Sequence, residues 1–196
     1  MGGGQGGAGG NITINGGSVA ATGRVFAAGI GGGAHDFGGN ITINGGNVTA
    51  TSEAFAAGIG GGQESSGGNI TINGGNVTAT GGPDGAGIGS GSHGSYDTIT
   101  INGGSVTATG GDNGAGIGGE SGGYGGSFAT GADGHALIVA SSISDTSQRD
   151  SWSGIIFEGD TGKVYKNQTP QEDFKIPLRK TLTIPENTTL TVKDGV

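Results

Sequence analysis

Three ionisable side chains occupy the same place in the chain's repeating pattern and are the first candidates for chemistry. They are His35, Glu64 and His93, each 29 residues from the next. Imidazole nitrogens and carboxylate oxygens are zinc ligands, so a column of the three would suggest a metal site. Neighbouring β-strands lie ~4.8 Å apart, which would separate the two histidine backbones by ~9.6 Å. We therefore interpret the three as solvated loop residues, and we expect no metal and no cofactor.

Threonine hydroxyls form the most regular polar pattern in the sequence. In each repeat one threonine lies between two isoleucines, and in most repeats a second pair flanks an alanine. Alternate residues of a strand point to opposite faces, so both sets are predicted to point outward and to stack. The candidate binding face consists of Thr13, Thr42, Thr71, Thr100, Thr49, Thr51, Thr78, Thr80, Thr107 and Thr109. The alternative is purely structural, because threonine is a common outer residue of strands.

These side chains belong to a gap-free repeat of 29 residues, whose copies begin at Ile12, Ile41, Ile70 and Ile99. Each copy has three short segments of alternating polarity, and segments this short cannot bury a face alone. Stacked copies can, because each inward residue then packs on its counterpart in the next copy. The pattern predicts an all-β, three-sided parallel β-helix of about 29 residues per rung over residues 1–134.

Asparagine and glycine mark the corner between the first two segments of each copy. Gly16 and Gly17 are predicted to turn the chain where φ is positive. The asparagine that precedes each glycine pair is expected to form a ladder of side-chain amide hydrogen bonds along the helix axis. Glycosylation or ligand binding is the alternative for these residues. The ladder would contain Asn15, Asn44, Asn73 and Asn102.

Residues 135–196 depart from the repeat and are predicted to hold the final rungs and a capping β-hairpin. An apolar run ending at Ile143 is typical of a buried strand, and residues 154–166 have the pattern of a hairpin. A solenoid needs such a cap because its last rung is an open sheet edge. The apolar side chains expected to fill the open end are Trp152, Phe157, Tyr165 and Phe174.

The charge distribution excludes several classes of partner. The net charge is −8, and Arg24 is the only base in residues 1–134. Without a basic patch, nucleic-acid binding is not expected, and an anionic membrane would repel this surface. No apolar run is long enough to span a membrane. Arg24 aligns with Glu53 one rung away, which predicts a surface ion pair.

Carboxylates are too scattered to suggest catalysis. Enzymes that cleave polysaccharides on a β-helix need clustered carboxylates, usually with a lysine or arginine. Here the acids lie in separate loops, as Asp36, Asp84 and Asp112 illustrate, and no outward strand position of the repeats carries one. We therefore expect a protein that is not an enzyme, and a polysaccharide-active β-helix enzyme is the least favoured alternative.

The combined pattern resembles a known group of proteins. The string ITINGGxVTAT followed by AGIG, and the later segments SWSGIIFEG, GKVY and LTIP, are similar to repeat-containing surface proteins of Gram-positive, often gut-dwelling, bacteria. The resemblance covers nearly the whole chain. It implies a right-handed β-helix in a secreted or wall-attached protein of the adhesin-like type, located outside the cell or at its surface. It supplies no catalytic residues.

Two functions remain open from the sequence. The first is a non-catalytic structural or adhesive module that binds carbohydrate or a host surface weakly. The second is ice binding, because the threonine pairs resemble the faces of β-solenoid ice-binding proteins. Met1-Gly2-Gly3-Gly4 aligns with residues 30–33, so we also expect further rungs of the same parent chain to stack on the first coil.

Overall fold

The short alternating segments of each repeat form three parallel sheets in the computed structural model. The structure describes residues 1–4, 6–96, 98–120, 125–132, 134–170 and 175–192. Alternation produces this arrangement, since Ile70 and Ile72 are buried while Thr71 between them faces outward. The chain forms an all-β parallel solenoid of about four coils spaced 29 residues apart, which confirms the predicted fold class.

Each sheet is continuous from coil to coil. Sheet one contains β1 (Asn11–Ile14), β4 (Asn40–Ile43), β7 (Asn69–Ile72), β10 (Thr98–Ile101) and β13 (Ser127–Thr130). Sheet two contains β2 (Ser18–Gly23), β5 (Asn47–Ser52), β8 (Asn76–Thr80), β11 (Ser105–Thr109), β14 (Leu137–Ala140), β15 (Gly154–Glu158), β16 (Thr161–Tyr165) and β17 (Thr181–Thr183). Sheet three contains β3 (Ile30–Gly31), β6 (Ile59–Gly60), β9 (Ile88–Gly89) and β12 (Ile117–Gly118).

The register keeps identical residues directly above one another through four coils. Val48 pairs with Val77 and Val77 with Val106, so the inward valines form a column. At the fifth coil, β13 keeps the 29-residue spacing, but Ile138 pairs with Val106 three residues later than that spacing predicts. The extra residues lie in the turn before β14, so the fifth coil keeps its inward face.

Stacked aliphatic side chains fill the lumen. Ile30, Ile59, Ile88 and their neighbours on the other two sheets are fully buried in one cluster. In the first coil, Ile12 and Val19 are only partly buried, because they have a coil on one side alone. Burial of an aliphatic side chain contributes roughly 1.5–3 kcal/mol, so each added coil stabilises the one before it.

Sheet three requires glycine because its backbone adopts positive φ and stacks very closely. Gly60 has φ +130°, and a Cβ atom built on it would overlap the carbonyl oxygen of Gly89 in the next coil. Gly31 and Gly89 repeat the same geometry. A side chain at any of these positions would force neighbouring coils apart, which explains part of the high glycine content.

The hairpin predicted at the C-terminal end is present and reverses the sheet direction. β15 pairs with β14 in parallel, and β16 then pairs with β15 in antiparallel fashion. β17 follows in parallel with β16 and forms the edge of sheet two. Helical structure in the described part of the chain amounts to one short 3-10 turn, Arg149–Ser151. No helix within those residues is long and apolar enough to cross a membrane.

An aromatic plug closes the lumen at the fifth coil, and its membership differs from the prediction. We define it as Phe128, Trp152 and Tyr165, with Trp152 edge-on to the other two rings at 5.1 Å and 5.5 Å. Phe157 was expected there, but it packs with Ile155 and other residues in a separate cluster on the outer face of sheet two. Phe174, also expected in the plug, lies outside the described residues.

Candidate functional site

Sheet one carries a single outward column of threonines. Thr13, Thr42, Thr71 and Thr100 occupy one register position in successive coils. Ala129 takes the same position in the fifth coil, so the column of hydroxyls ends after four. Thr13 is exposed and the later members are half-buried.

Sheet two carries the larger array, here called the threonine grid: Thr49, Thr51, Thr78, Thr80, Thr107 and Thr109. Thr22 extends one of its columns into the first coil, where it accepts a hydrogen bond from the Thr51 hydroxyl at 3.2 Å. Ala20 and Val139 bound the other column. The grid is therefore a hydroxyl patch confined to the regular coils, with apolar neighbours on the fifth.

The corner asparagines form a continuous ladder, defined by Asn15, Asn44, Asn73 and Asn102. Each side-chain NH₂ donates to the side-chain oxygen of the previous coil, over 2.8, 2.8 and 2.7 Å. All four residues are exposed to solvent. The bonds therefore compete with water, and each contributes about 0.5–1.5 kcal/mol at most.

A second asparagine ladder at the start of sheet one was missed in the sequence analysis. Asn40 donates to Asn11 over 2.9 Å, and Asn69 donates to Asn40 over 3.2 Å. The same 29-residue recurrence that marked the first ladder was visible for these residues. Thr98 replaces asparagine in the next coil, so this ladder is one member shorter.

The three residues considered as zinc ligands do not form a common site. His35 Nδ1 lies 3.4 Å from Glu64, but His93 Nδ1 lies 3.6 Å from Glu120 instead. Each of these histidines has positive φ in a tight loop that points its side chain into solvent. Within the described ranges, no group of three or more His, Cys, Asp or Glu side chains is placed to hold a metal ion.

The expected ion pair between Arg24 and Glu53 is also absent. The backbones are adjacent, since the Glu53 N–H donates to the Gly23 carbonyl over 3.1 Å. Both side chains are exposed, and the ion pairs of the described residues do not include them. Solvation of two long, mobile side chains outweighs their attraction in water.

A polar cleft of about 420 Å³ lies beyond the aromatic plug and was not anticipated from the sequence. Arg149 Nη2 lies 2.6 Å from Glu158 Oε2, and the guanidinium stands 5.1 Å from the Trp152 ring. Lys163 Nζ stands 5.1 Å from the ring of Tyr165. Thr161 and Thr183 complete the wall with hydroxyl groups. We call this space the C-terminal cleft.

Two tyrosines near the fifth coil have perturbed acidity. Burial raises the pKa of Tyr96 to about 12, and the negative charge of Asp145 adds to the effect. Burial also raises the pKa of Tyr165, while the charge of Arg149 offsets part of that rise. Although burial alone would raise the pKa of Asp145, hydrogen bonds from the Phe128 and Ser147 N–H groups hold it below its usual range. Neither tyrosine is ionised at neutral pH.

A family model described as Beta helix repeat matches the chain at residues 12–34, 41–63, 70–92 and 99–127. Together the four matches make up half of the chain. The chain belongs to the Beta helix repeat family. Each of the first three matches runs from sheet one through sheet three of one coil, so the family pattern corresponds to a whole coil. No curated protein and no solved structure matches this chain.

The C-terminal part of this Beta helix repeat protein lies beyond the last match. The family pattern ends at residue 127, just before the plug residue Phe128. The threonine grid and the asparagine ladder therefore lie in matched coils, while the C-terminal cleft is formed by residues outside them.

Proposed function

We propose that the chain is a non-catalytic, extracellular binding module that holds polar groups in fixed rows against a polysaccharide or host surface. The observation that carries this proposal is the register of the threonine grid, in which identical hydroxyls stack through three coils. The resemblance to adhesin-like proteins of Gram-positive bacteria supports a location at the cell surface.

The mechanism is passive and multivalent. A hydroxyl bound to a sugar gives up its bonds to water, so each contact contributes only about 0.5–1.5 kcal/mol. Many weak contacts on a polymer reinforce one another once the first is made. The rigid backbone means that no loop needs to be ordered on binding, which lowers the entropic cost.

Replacing hydroxyls by methyl groups tests this proposal while leaving strand packing intact. The test variant carries Thr49→Val, Thr78→Val and Thr107→Val, and the control carries Thr13→Val, Thr42→Val and Thr71→Val on sheet one. On a glycan array and in calorimetry with the best polysaccharide, we expect the test variant to lose binding and the control to retain it. Equal binding by both variants, or a blank array for the unmodified protein at high concentration, would reject the proposal.

Ice binding is a second candidate, supported by the three Thr-Ala-Thr strands of sheet two in register. Hydroxyls in a flat, repeated array can order water. The test is thermal hysteresis with observation of ice-crystal shape. Faceted crystals that become round in Thr78→Lys, but not in Thr71→Lys, would favour this candidate over polysaccharide binding. Round crystals with the unmodified protein would eliminate it.

A further inference from the structure

Sheet two is longer than the two sheets that face it, which leaves one of its faces uncovered. Sheet one ends at β13, and sheet three is followed only by a bridge between Ile117 and Ile143. Sheet two continues through β15, β16 and β17. The lumen-side face of these last strands has no facing sheet among the described residues, and the C-terminal cleft lies against it.

The inward residues change from apolar to polar where the lumen opens. One register position holds Ile138 and Ile156, and then Lys163 and Thr183 in the following strands. Tyr165, two residues after Lys163 on the same face, belongs to the buried lumen cluster. The cleft therefore has an aromatic floor and polar walls, the usual composition of a small-ligand site.

Lys163 supplies a positive charge that no carboxylate neutralises. Arg149 is paired with Glu158, whereas Lys163 belongs to no ion pair in the described part of the chain. Its ammonium group stands over the Tyr165 ring. A cation beside an aromatic ring and between two threonine hydroxyls can bind a group that carries both a negative charge and hydroxyls.

The charge of the whole chain favours this end for an anionic ligand. Seven of the eight lysines and arginines lie in residues 135–196, while the repeats carry eight acids and one base. The repeats repel an anionic polymer, and the C-terminal part repels it much less. The volume of about 420 Å³ falls within the roughly 300–1,000 Å³ range of small-ligand pockets.

We propose that the C-terminal cleft binds an anionic sugar unit, a uronate, of a polysaccharide. The carboxylate contacts the Lys163 ammonium, the sugar ring packs near Tyr165, and Thr161 and Thr183 bind its hydroxyls. This inference deepens the proposed function, since it adds a charged-sugar site to a module proposed to bind polysaccharide.

The test uses the full chain and its single tryptophan, Trp152, which lines the cleft and reports on it by fluorescence. The probes are a galacturonic acid trisaccharide, the neutral galactose trisaccharide and inorganic sulfate. We expect the uronate to change the emission in a saturable way and the neutral sugar to have no effect. Lys163→Ala should weaken uronate binding by about tenfold or more, because a charge-assisted contact is lost.

Two control variants make the result specific. Lys166→Ala removes an exposed lysine that is not among the lining residues, and it should leave uronate binding unchanged. The triple variant Thr49→Val, Thr78→Val and Thr107→Val should also bind normally, so failure of the threonine grid is distinguished from failure of the cleft. No response to the uronate, equal binding by Lys163→Ala, or equal binding of sulfate would overturn the assignment.

Discussion

Asparagine suits the corners of this β-helix because its amide both donates and accepts a hydrogen bond. Asn44 accepts from Asn73 and donates to Asn15, so one residue type can repeat through the stack. Aspartate at neutral pH can only accept. The ladder stops at Asn102, where Gly131 occupies the space above: a Cβ atom on Gly131 would lie 2.7 Å from Asn102 Oδ1.

Asn73→Asp tests the ladder at its middle. The new carboxylate cannot donate to Asn44, and we expect the free energy of unfolding to fall by about 1–2 kcal/mol. The matched control is Asn76→Asp, which makes the same charge change at an exposed residue of the same coil. Urea unfolding followed by circular dichroism measures both. Equal losses would mean that charge, not the ladder, sets the stability.

Gly60→Ala tests the close stacking of sheet three. The methyl group would collide with the backbone of Gly89 at positive φ, and we expect a loss of at least about 3 kcal/mol. Gly45→Ala is the control, because its Cβ would have only one neighbour, the Asn15 carbonyl oxygen at 3.5 Å. Thermal melting of the two variants should differ clearly. Similar melting temperatures would contradict a steric role for glycine in sheet three.

Tyr96→Phe tests the buried phenol. The Tyr96 hydroxyl has no hydrogen-bond partner among the described residues, so its removal should cost little stability at pH 7. The native pKa of about 12 lies above the ordinary value of 10.0, so the folded state keeps its proton longer. Stability should then be constant below pH 10 and fall between pH 10 and 12. Melting curves over this range should fall less steeply for Tyr96→Phe; unchanged steepness would contradict the assignment.

At the scale of elements, strand parity decides which predictions succeeded. In the repeats, polar and apolar residues alternate strictly, so inward and outward faces could be read from the sequence. In β15 three apolar residues follow one another, and the sequence alone does not say that Ile156 points inward and Phe157 outward. The loops are less predictable still: Glu120 pairs with His93 although it lies two residues off the repeat spacing.

Trp152→Ala tests the aromatic plug. Trp152 is buried between Phe128 and Tyr165, and removing its ring should cost about 3–5 kcal/mol through lost burial and a cavity. Phe37→Ala is the control, since that ring is 40% exposed. Urea midpoints compare the two. A small loss for Trp152→Ala would mean that the hairpin closes the lumen without the plug.

At the scale of the whole molecule, the coils form a nearly one-dimensional stack. Each coil contacts mainly its neighbours, so the architecture follows from one repeat and its spacing. This is why sheet number, register and the threonine columns were predictable from sequence. The C-terminal cleft was not, because β15, β16 and β17 follow no repeat and meet only through the hairpin.

Removal of one coil tests this modular stability. Deleting residues 41–69 joins Asn40 to Ile70 and takes out one full 29-residue coil without shifting any face. We expect a folded protein with an unchanged shape of the circular dichroism spectrum and a lower urea midpoint. Deleting residues 42–69 removes one residue fewer and turns the next strand inside out, so this control should not fold. Folding of both would contradict strict register.

The aromatic plug also has a consequence for the order in which the chain folds. Its three rings and the β15–β16 hairpin come from nearby stretches of sequence, so their contacts form with the least loss of chain entropy. We expect this region to act as the template on which coils wind, one after another, toward Met1. Time-resolved hydrogen exchange should show protection spreading in that direction. Ribosomes make the template after the repeats, so the glycine-rich coils would stay unwound until translation passes them.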